Sequence, residues 1–225
     1  MNPKESLVKP RLWDMYFLSV NKKIEVLTNA IKFYLGDKKD LKIIDIGCGA
    51  KPYFPLFEKF ALEYIGIDVK KTEFVDVVAS AEDIPFSDNY FDVALSTQVL
   101  EHVKDYQEAI NEMFRILKPN GIVFLATHGV WEIHGSPYDY WRFTNYGLKE
   151  TFKQFREVKI INNGGAILCF FQICNIYFLK LINIPIIGLI IRGIILVNNL
   201  LGWYLDKLLG KYDFFVINYL VVAKK

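Results

Sequence analysis

The residues that first suggest chemistry are two glycines and an aspartate at the ends of two short apolar runs. Leu41–Ile46 leads into a turn that holds Gly47 and Gly49, and Tyr64–Ile67 leads into Asp68. A glycine turn lets the backbone approach a ligand closely and often requires positive φ. Asp68 follows Gly49 by 19 residues, about where an acid accepts the hydroxyls of a bound ribose. The pattern predicts a nucleoside-binding site.

Two nearby residues favour a nucleoside without phosphates over a dinucleotide. The dinucleotide fingerprint needs a third glycine where Pro52 stands, and proline adds bulk and has no N–H to face a phosphate. The carboxylate of Asp45 would repel a pyrophosphate, but it could hold the cationic amino-acid end of a sulfonium cofactor, directly or through water. The remaining alternative to a nucleoside-binding site is a glycine turn that binds no ligand and only packs a helix on a strand.

Several segments between about residue 41 and residue 127 resemble, in order and spacing, the motifs of class I S-adenosylmethionine-dependent methyltransferases. They are Asp45–Gly49, Asp68, Ser80–Phe86, Asn89–His102 and Arg115–Gly121. The resemblance implies an α/β, Rossmann-like fold with a seven-stranded, mostly parallel sheet of order 3-2-1-4-5-7-6. Strand 7 would be antiparallel, and helices would cover both faces. It also implies S-adenosyl-L-methionine as the cofactor and methyl transfer as the reaction.

The resemblance also implies a set of cofactor-binding residues. The two glycines would back the methionine part, Asp68 would hold the ribose, and the pair 81–82 would line the adenine. The pair 96–97 would lie near the transferable methyl group. The full predicted set is Asp45, Gly47, Cys48, Gly49, Asp68, Val69, Ala81, Glu82, Ser96 and Thr97. Two positions depart from the family pattern: Lys51 replaces a small residue of the turn, and Ser80 replaces an aspartate that contacts the adenine amino group.

A polar and aromatic loop after strand 5, residues 127–144, is the predicted acceptor side of the site. Loops at the carboxyl ends of parallel strands carry the chemistry in such folds. Its segment Pro137–Thr144 resembles a signature found in a subset of these methyltransferases, several of them near glycan or lipid biosynthesis. The predicted catalytic residues are His128, His134, Asp139, Tyr140 and Arg142. His134 or His128 would be the general base, and Arg142 would orient an anionic or polar acceptor.

A purely structural interpretation of this loop stays open. Asp139 and Arg142 would then form an ion pair, with Trp141 and Phe143 buried as a clamp. His102, which follows strand 4, is similarly either a site residue or a structural histidine near a helix start, and the second is favoured.

Positioning these residues requires a parallel sheet. Short apolar runs alternate with helical stretches, which is typical of βαβ units. Strands are predicted over 41–46, 63–68, 75–79, 91–96, 121–127, 157–162 and 215–223, and helices over 11–36, over 103–117 and from Asn145. We expect a single methyltransferase domain over 1–225. It would have a helical lead-in over 1–40, a core over 41–163 and 212–225, and a hydrophobic helical insertion over 164–211, between strands 6 and 7.

Composition narrows the partners and the compartment. The chain has 27 basic and 25 acidic residues, a net charge of +2, and no dense basic block, so no nucleic-acid partner is expected. The cysteines Cys48, Cys169 and Cys174 lack the paired spacing of a zinc site or redox pair, which fits a reducing compartment and predicts no metal. The first residues lack a secretory pattern, which favours the cytoplasm, with association with the inner face of a membrane as an extension.

The apolar segment 165–205 has three open interpretations. Arg192 inside it would cost about 2.5–3.5 kcal/mol at the centre of a membrane span, so spanning is disfavoured. The favoured interpretation is peripheral membrane contact, and the others are a homodimer interface and an internal cap. Headgroup contacts would come from Lys180, Arg192, Lys207 and Lys211.

The predicted function is methyl transfer to an unidentified small-molecule, glycan or lipid-linked acceptor. The alternative is a non-catalytic protein that keeps the fold and docks on a membrane or a partner. An NAD(P)-dependent oxidoreductase is a weaker alternative.

Overall fold

The chain is built around one seven-stranded sheet. The structure, a computed structural model, describes residues 8–178, 182–184, 186–210 and 213–225. The strands are β1 Leu41–Ile46, β2 Ala61–Asp68, β3 Val77–Val78, β4 Phe91–Thr97, β5 Leu117–His128, β6 Glu157–Asn163 and β7 Asn218–Lys224. Their order across the sheet is β3-β2-β1-β4-β5-β7-β6, which confirms the predicted order.

Strand directions also agree with the prediction. β1 pairs in parallel with β2 and with β4, and β4 pairs in parallel with β5. β7 runs antiparallel to β5. The N–H of Lys225 donates to the carbonyl of Gly121 (3.0 Å), and the N–H of Gly129 donates to the carbonyl of Ile217 (2.8 Å). Residue numbers therefore rise along β5 as they fall along β7.

Six helices are described, together with two short 3-10 turns, Glu58–Phe60 and Leu100–His102. The helices are α1 Phe17–Leu35, α2 Phe54–Phe57, α3 Tyr106–Ile116, α4 Asn145–Thr151, α5 Ala166–Tyr177 and α6 Ile187–Leu209. Side chains cap two of them. Asp105 accepts from the N–H of Glu108 at the start of α3 (3.1 Å), and Thr144 accepts from the N–H of Gly147 at the start of α4 (3.0 Å).

The central strands form the core because they are buried along most of their length. Ile43 of β1, Phe91 of β4 and Phe124 of β5 have no exposed surface. Continuous apolar strands of this kind are typical of a parallel sheet covered on both faces. The register pairs Ile46 of β1 with Ser96 of β4, so the carboxyl ends of these strands lie side by side.

Several element boundaries differ from the predicted ones. The strand predicted over 75–79 is reduced to Val77–Val78, and just before it Asp76 bonds to Gly66 both through its N–H (2.9 Å) and through its carboxylate (2.6 Å). The lead-in helix predicted from residue 11 begins at Phe17. The helix predicted over 103–117 begins after its Asp105 cap and ends at Ile116, where the chain passes directly into β5.

Contacts divide the chain into two compact units. Unit 1 comprises Met1–Glu25, Gly129–Glu132 and Asn162–Asn218, and unit 2 comprises Val26–His128, Ile133–Ile161 and Tyr219–Lys225. Unit 1 has a buried cluster of its own, which includes Phe17, Leu18, Leu168, Cys169 and Ile217. In unit 1, α6 is long and apolar enough to cross a membrane, with a mean hydropathy of 1.5 in its most apolar window, and 28% of that window is buried.

Candidate functional site

The glycine turn after β1 is shaped by two separate needs. Gly47 has a φ of +70°, and a Cβ built there would lie 2.2 Å from Cγ2 of Val99, so the turn and the residues after β4 touch directly. Gly49 has a φ of +51° and no heavy atom within 4 Å of a built Cβ. Glycine at position 47 therefore permits close packing against Val99. At position 49 glycine permits the positive φ, and the space beside it is open.

Asp68 lies at the tip of β2 with both carboxylate oxygens held by backbone donors. The N–H of Gly49 donates to Oδ2 (3.1 Å), and the N–H of Lys70 donates to Oδ1 (3.0 Å). Two such bonds fix the side chain against the glycine turn. The contact of Asp68 with ribose hydroxyls, which the 19-residue spacing from Gly49 predicts, stays a prediction.

A cavity of about 290 Å³ opens beside this turn in unit 2. Five of the predicted cofactor residues line it: Gly47, Asp68, Val69, Ala81 and Glu82. The rest of its wall consists of Ala79, Ser80, Gln98, Val99, His102 and Val103. The last four of these belong to the segment 98–103, which follows directly after β4. Segments just beyond the carboxyl end of a parallel strand commonly form the site, and this position could have assigned them to it.

The other five predicted cofactor residues lie around the cavity rather than on its wall. Gly49 is in the turn, Thr97 is half-buried, and Cys48 is a buried thiol whose pKa burial raises to about 12. The hydroxyl of Ser96 is buried without a hydrogen-bond partner in the described parts of the chain. The fifth residue, Asp45, is buried in β1.

Asp45 is a carboxyl group buried below the glycine turn. Burial raises its pKa to about 7, although the hydroxyl of Tyr64 donates to its Oδ2 (2.8 Å) and Lys51 lies near enough to oppose the rise. Lys51, which stands where the family has a small residue, forms an ion pair with Asp76. Near neutral pH, Asp45 is therefore protonated in only part of the molecules, and a nearby cation would favour its ionised form.

Ser80, the second departure from the family pattern, joins the predicted adenine-lining pair into a hydrogen-bonded turn. Its hydroxyl donates to Oε2 of Glu82 (3.0 Å) and accepts from the N–H of the same residue (3.2 Å). The other carboxylate oxygen of Glu82 accepts from the N–H of Asp105 (2.9 Å). Glu82 thus ties the cavity wall to the start of α3.

All three histidines of the chain gather around Glu101, beside the cavity. The rings of His102 and His134 are 4.7 Å apart and those of His128 and His134 are 5.1 Å apart, each pair edge to face. Nε2 of His128 lies 3.3 Å from Oε1 of Glu101. Burial raises the pKa of Glu101. Sequence reasoning placed His128 and His134 in the site and gave His102 less weight, yet among the three it is His102 that lines the cavity.

Hydrogen bonds hold this cluster in place. Glu101 accepts from the hydroxyl of Thr127 (2.9 Å) and from Nε2 of Gln98 (3.1 Å). Nδ1 of His102 lies 2.6 Å from the carbonyl oxygen of Tyr138. Since a carbonyl only accepts, Nδ1 carries the proton, and in the neutral ring Nε2 is the basic nitrogen.

Within the described residues, one group of side chains is close enough to hold a metal ion, and it belongs to this cluster. Ligand atoms of Glu101, His102 and His134 all lie within 4.8 Å of one another. Hydrogen bonds already account for their arrangement, because both oxygens of Glu101 and Nδ1 of His102 have protein partners.

The loop after β5 contains the ion pair that the structural interpretation anticipated. Nη1 and Nη2 of Arg142 donate to the two oxygens of Asp139 (2.6 and 2.8 Å), and Asp139 also accepts from the N–H of His134 (2.8 Å). The guanidinium of Arg142 holds the pKa of Asp139 well below its usual range. The ion pair therefore positions the backbone that carries His134.

Aromatic contacts hold the rest of this loop. Nε1 of Trp141 donates to the carbonyl of Val103 (2.9 Å), and the ring of Tyr106 meets those of Trp141 and Phe143 edge to face at 4.9 and 5.5 Å. Tyr140 exposes 41% of its surface, while its N–H donates to the carbonyl of Glu101 (2.9 Å). Phe143 is buried, as the predicted clamp requires, but Trp141 is 38% exposed, so the prediction that it is buried was wrong. The predicted acceptor residues occupy the same loop.

Comparison with known proteins agrees with this geometry. Residues 44–125 match the model of a methyltransferase domain family. An uncharacterized protein of Methanocaldococcus jannaschii is 38% identical over 90 residues, which cover 38% of this chain and 40% of that protein. A ubiquinone biosynthesis O-methyltransferase of Bartonella tribocorum is 30% identical over 112 residues, which cover 43% of this chain and 45% of that protein. The match spans less than half of the length of either relative.

The whole fold also has a counterpart among solved structures. The crystal structure of a SAM-dependent methyltransferase from Archaeoglobus fulgidus superimposes with a TM-score of 0.56 and 19% identity. The superposition covers 89% of this chain and 94% of that chain. At this identity the likeness concerns the fold.

Proposed function

We propose that this chain, which has the class I methyltransferase fold and a methyltransferase domain in residues 44–125, methylates a hydroxyl group of an acceptor with S-adenosyl-L-methionine as cofactor. One observation carries the proposal: a single cavity wall joins the glycine turn and Asp68 to His102. When bound, the cofactor supplies a methyl group on a sulfonium sulfur. A lone pair of the acceptor would attack the methyl carbon as the bond between this carbon and the sulfur breaks.

The charge of the cavity supports a cationic cofactor without phosphates. Its wall includes the carboxylates of Asp68 and Glu82 and, among the described residues, no lysine or arginine. Asp45 adds a third carboxyl group below the turn. A pyrophosphate would meet repulsion there, while a sulfonium and an ammonium group would be attracted. Asp68 has the hydrogen-bonded orientation that suits a ribose, and Gly49 leaves the turn open towards a ligand.

Methylation of a hydroxyl releases a proton, and the histidine cluster can take it. Nε2 of His102 is the basic nitrogen of the histidine on the cavity wall, which favours His102 as the general base. His134 lies against it, and His128 is buried against Glu101. The buried carboxylate would stabilise the imidazolium that forms, so Glu101 acts as a positioning residue beneath the bases.

The acceptor belongs to the loop side of the site. The Bartonella relative is named as an O-methyltransferase, which supports a hydroxyl acceptor. The exposed rings of Tyr138 and Tyr140 would offer apolar contact to a ring or chain beside the hydroxyl. We infer that the acceptor is a small organic molecule. The experiment below distinguishes it from a glycan and from a lipid-linked molecule.

The test is transfer of a labelled methyl group. The purified chain is incubated with methyl-labelled cofactor and with soluble or lipid extracts of the host. Base-stable label in one extract, lost in His102→Asn while the affinity for the cofactor is retained, is the expected result, and the labelled fraction identifies the acceptor class. Cofactor binding without label in any extract would favour a non-catalytic protein. Binding of NAD or NADP instead of S-adenosylmethionine would favour an oxidoreductase.

A further inference from the structure

The outer face of helix α6 is largely apolar, although its inner face is also packed. Leu189 is 76% and Ile190 is 60% exposed, while Ile191, Ile195 and the polar Asn199 are buried. A helix on the surface of a protein in water normally turns polar residues towards solvent. The exposed apolar face indicates that the outer side of α6 is matched to an apolar environment.

A polar network explains how the inner face of α6 is held within unit 1. Nδ2 of Asn199 donates to the carbonyls of Leu12 (2.7 Å) and Asp14 (3.0 Å), and its Oδ1 accepts from Asn175 of α5 (2.7 Å). Gly202 packs so closely that a built Cβ would lie 2.8 Å from Phe171. These bonds join α6 to α5 and to the N-terminal segment. α6 is therefore one wall of a folded unit, and a path straight through a bilayer would break these contacts.

The exposed arc of α6 is broad. At 100° per residue, the exposed apolar side chains from Ile187 through Ile190 and Val197 to Trp203 spread over about 200° of the helix circumference. A coiled-coil partner covers only a narrow stripe of one helix, so a single partner helix would leave much of this arc in water. A lipid leaflet covers a broad arc, because acyl chains surround the helix from every outward direction.

The exposed charges on α6 are placed for a lipid surface. Within Ile187–Leu209, both exposed charged residues, Arg192 and Lys207, are cationic, and the acid of this helix, Asp206, is half-buried and accepts from the N–H of Gly165 (3.3 Å). Trp203 and Tyr204 lie next to Lys207 and are about half exposed. Aromatic rings and basic side chains at the edge of an apolar face are typical of helices that lie in the headgroup region. Lys180 and Lys211, also predicted as headgroup contacts, lie outside the described residues.

A cavity in unit 1 adds a second feature at the same surface. It has a volume of about 420 Å³, and Arg192, Trp13, Met15 and Tyr16 are among the residues that line it. A cation beside aromatic and apolar walls suits an anionic headgroup attached to an acyl chain. Asp14 also lines the cavity, and its Oδ2 accepts from the backbone N–H of Arg11 (2.7 Å), which orients this carboxylate without neutralising it.

We propose that unit 1 docks on an anionic phospholipid membrane, with α6 lying in the plane of one leaflet and Arg192 binding a lipid phosphate at the mouth of this cavity. The proposal does not depend on the proposed methyl transfer, because the residues that carry it belong to unit 1 and the cofactor cavity belongs to unit 2. Arg192 and Lys207 supply the preference for anionic lipid, and the apolar arc supplies most of the binding energy.

Flotation of the full chain with vesicles tests the proposal. The probes are phosphatidylcholine vesicles with and without phosphatidylglycerol. The native chain should float with the anionic vesicles and bind them at least about tenfold more tightly than the neutral ones, since each basic residue contributes about 1 kcal/mol. The double variant Ile190→Glu/Val197→Glu should lose binding to both. Arg192→Gln should bind the anionic vesicles about fivefold more weakly while its weak binding to neutral vesicles is unchanged.

A control places one negative charge on an exposed apolar residue outside unit 1. Leu62→Glu in unit 2, where the native side chain is 66% exposed, should float like the native chain. Circular dichroism and cofactor calorimetry of each variant check that the fold is intact. Failure of the folded native chain to float would overturn the proposal. So would a homodimer in sedimentation that Ile190→Glu/Val197→Glu disrupts without any lipid binding, because a second copy would then cover this face.

Discussion

Nε2 of His128 lies 3.3 Å from Oε1 of Glu101, and both side chains are buried at the carboxyl ends of the central strands. A buried carboxylate next to an imidazole favours the protonated ring and disfavours a second negative charge. Glu101 also accepts hydrogen bonds from Thr127 and Gln98, so its position is fixed before a substrate arrives. The fixed charge of this pair therefore lies beside the two more accessible histidines, His102 and His134.

Replacement of Glu101 by Gln tests this role. The amide keeps the shape and can still accept from Thr127, but it removes the charge that stabilises an imidazolium. We expect kcat for methyl transfer to fall about 10- to 100-fold, because no carboxylate then stabilises the imidazolium that forms during proton transfer. The affinity for the cofactor should change little. An unchanged kcat together with a lower melting temperature would assign Glu101 a structural role only.

Asp68→Ala should weaken cofactor binding by at least about 100-fold. A carboxylate that accepts two hydroxyls contributes about 1.5–3 kcal/mol per charged hydrogen bond, and alanine removes both. Isothermal titration calorimetry with S-adenosylmethionine measures the loss. The control is Asp37→Ala, because Asp37 is an exposed aspartate in the same unit and lies away from the cavity wall. Equal affinities for the two variants would contradict the site assignment.

Asp45→Asn should remove a pH dependence from both stability and binding. Burial raises the pKa of Asp45 from 3.8 to about 7, so the folded chain retains this proton to a higher pH than the unfolded chain does. The native chain should consequently lose stability as the pH rises from about 4 to 7, and the asparagine variant should not. If Asp45→Asn is more stable than the native chain by about 1 kcal/mol at pH 8, its melting temperature should be higher by about 2–4 °C.

Cofactor binding should respond to Asp45 in the opposite direction. The ionised carboxylate attracts a cationic cofactor, so affinity of the native chain should rise as the pH passes through about 7. Calorimetry across this pH range should give a flat profile for Asp45→Asn at a lower affinity. Parallel profiles for the two proteins would show that another group is responsible.

Asn199→Leu should destabilise unit 1. The carbonyls of Leu12 and Asp14 and the amide of Asn175 would all lose a partner inside the fold. Each buried polar group left without a hydrogen bond costs about 1–3 kcal/mol. Urea denaturation followed by tryptophan fluorescence measures the change, with the exposed Asn183→Leu as the control. Equal midpoints would indicate that the network contributes little.

The part of the site predicted best from sequence is the cofactor side, and the reason is that its residues are close along the chain. Gly47, Gly49 and Asp68 follow adjacent strands, so strand order alone brings them together. Gln98, Val99 and Val103 were missed and His102 was given less weight, because their contribution depends on how the turn after β4 folds against the glycine turn.

Convergence of distant segments was harder to predict. His102 meets His134 only because the loop after β5 folds back and places the carbonyl of Tyr138 on Nδ1 of His102. For α6, the composition of residues 165–205 indicated an apolar segment but did not show which side is buried. Burial of Asn175 and Asn199 reverses the usual rule that polar side chains face water, so periodicity alone could not orient the helix.

The gathering of every histidine of the chain in one cluster makes the candidate site its own spectroscopic reporter. All imidazole resonances in a proton NMR spectrum of the untagged chain must arise from His102, His128 and His134. A titration can therefore follow protonation at the site without labelling or mutation. A ligand that enters the cavity should perturb the His102 signals first, and the buried His128 should exchange its ring proton with solvent most slowly.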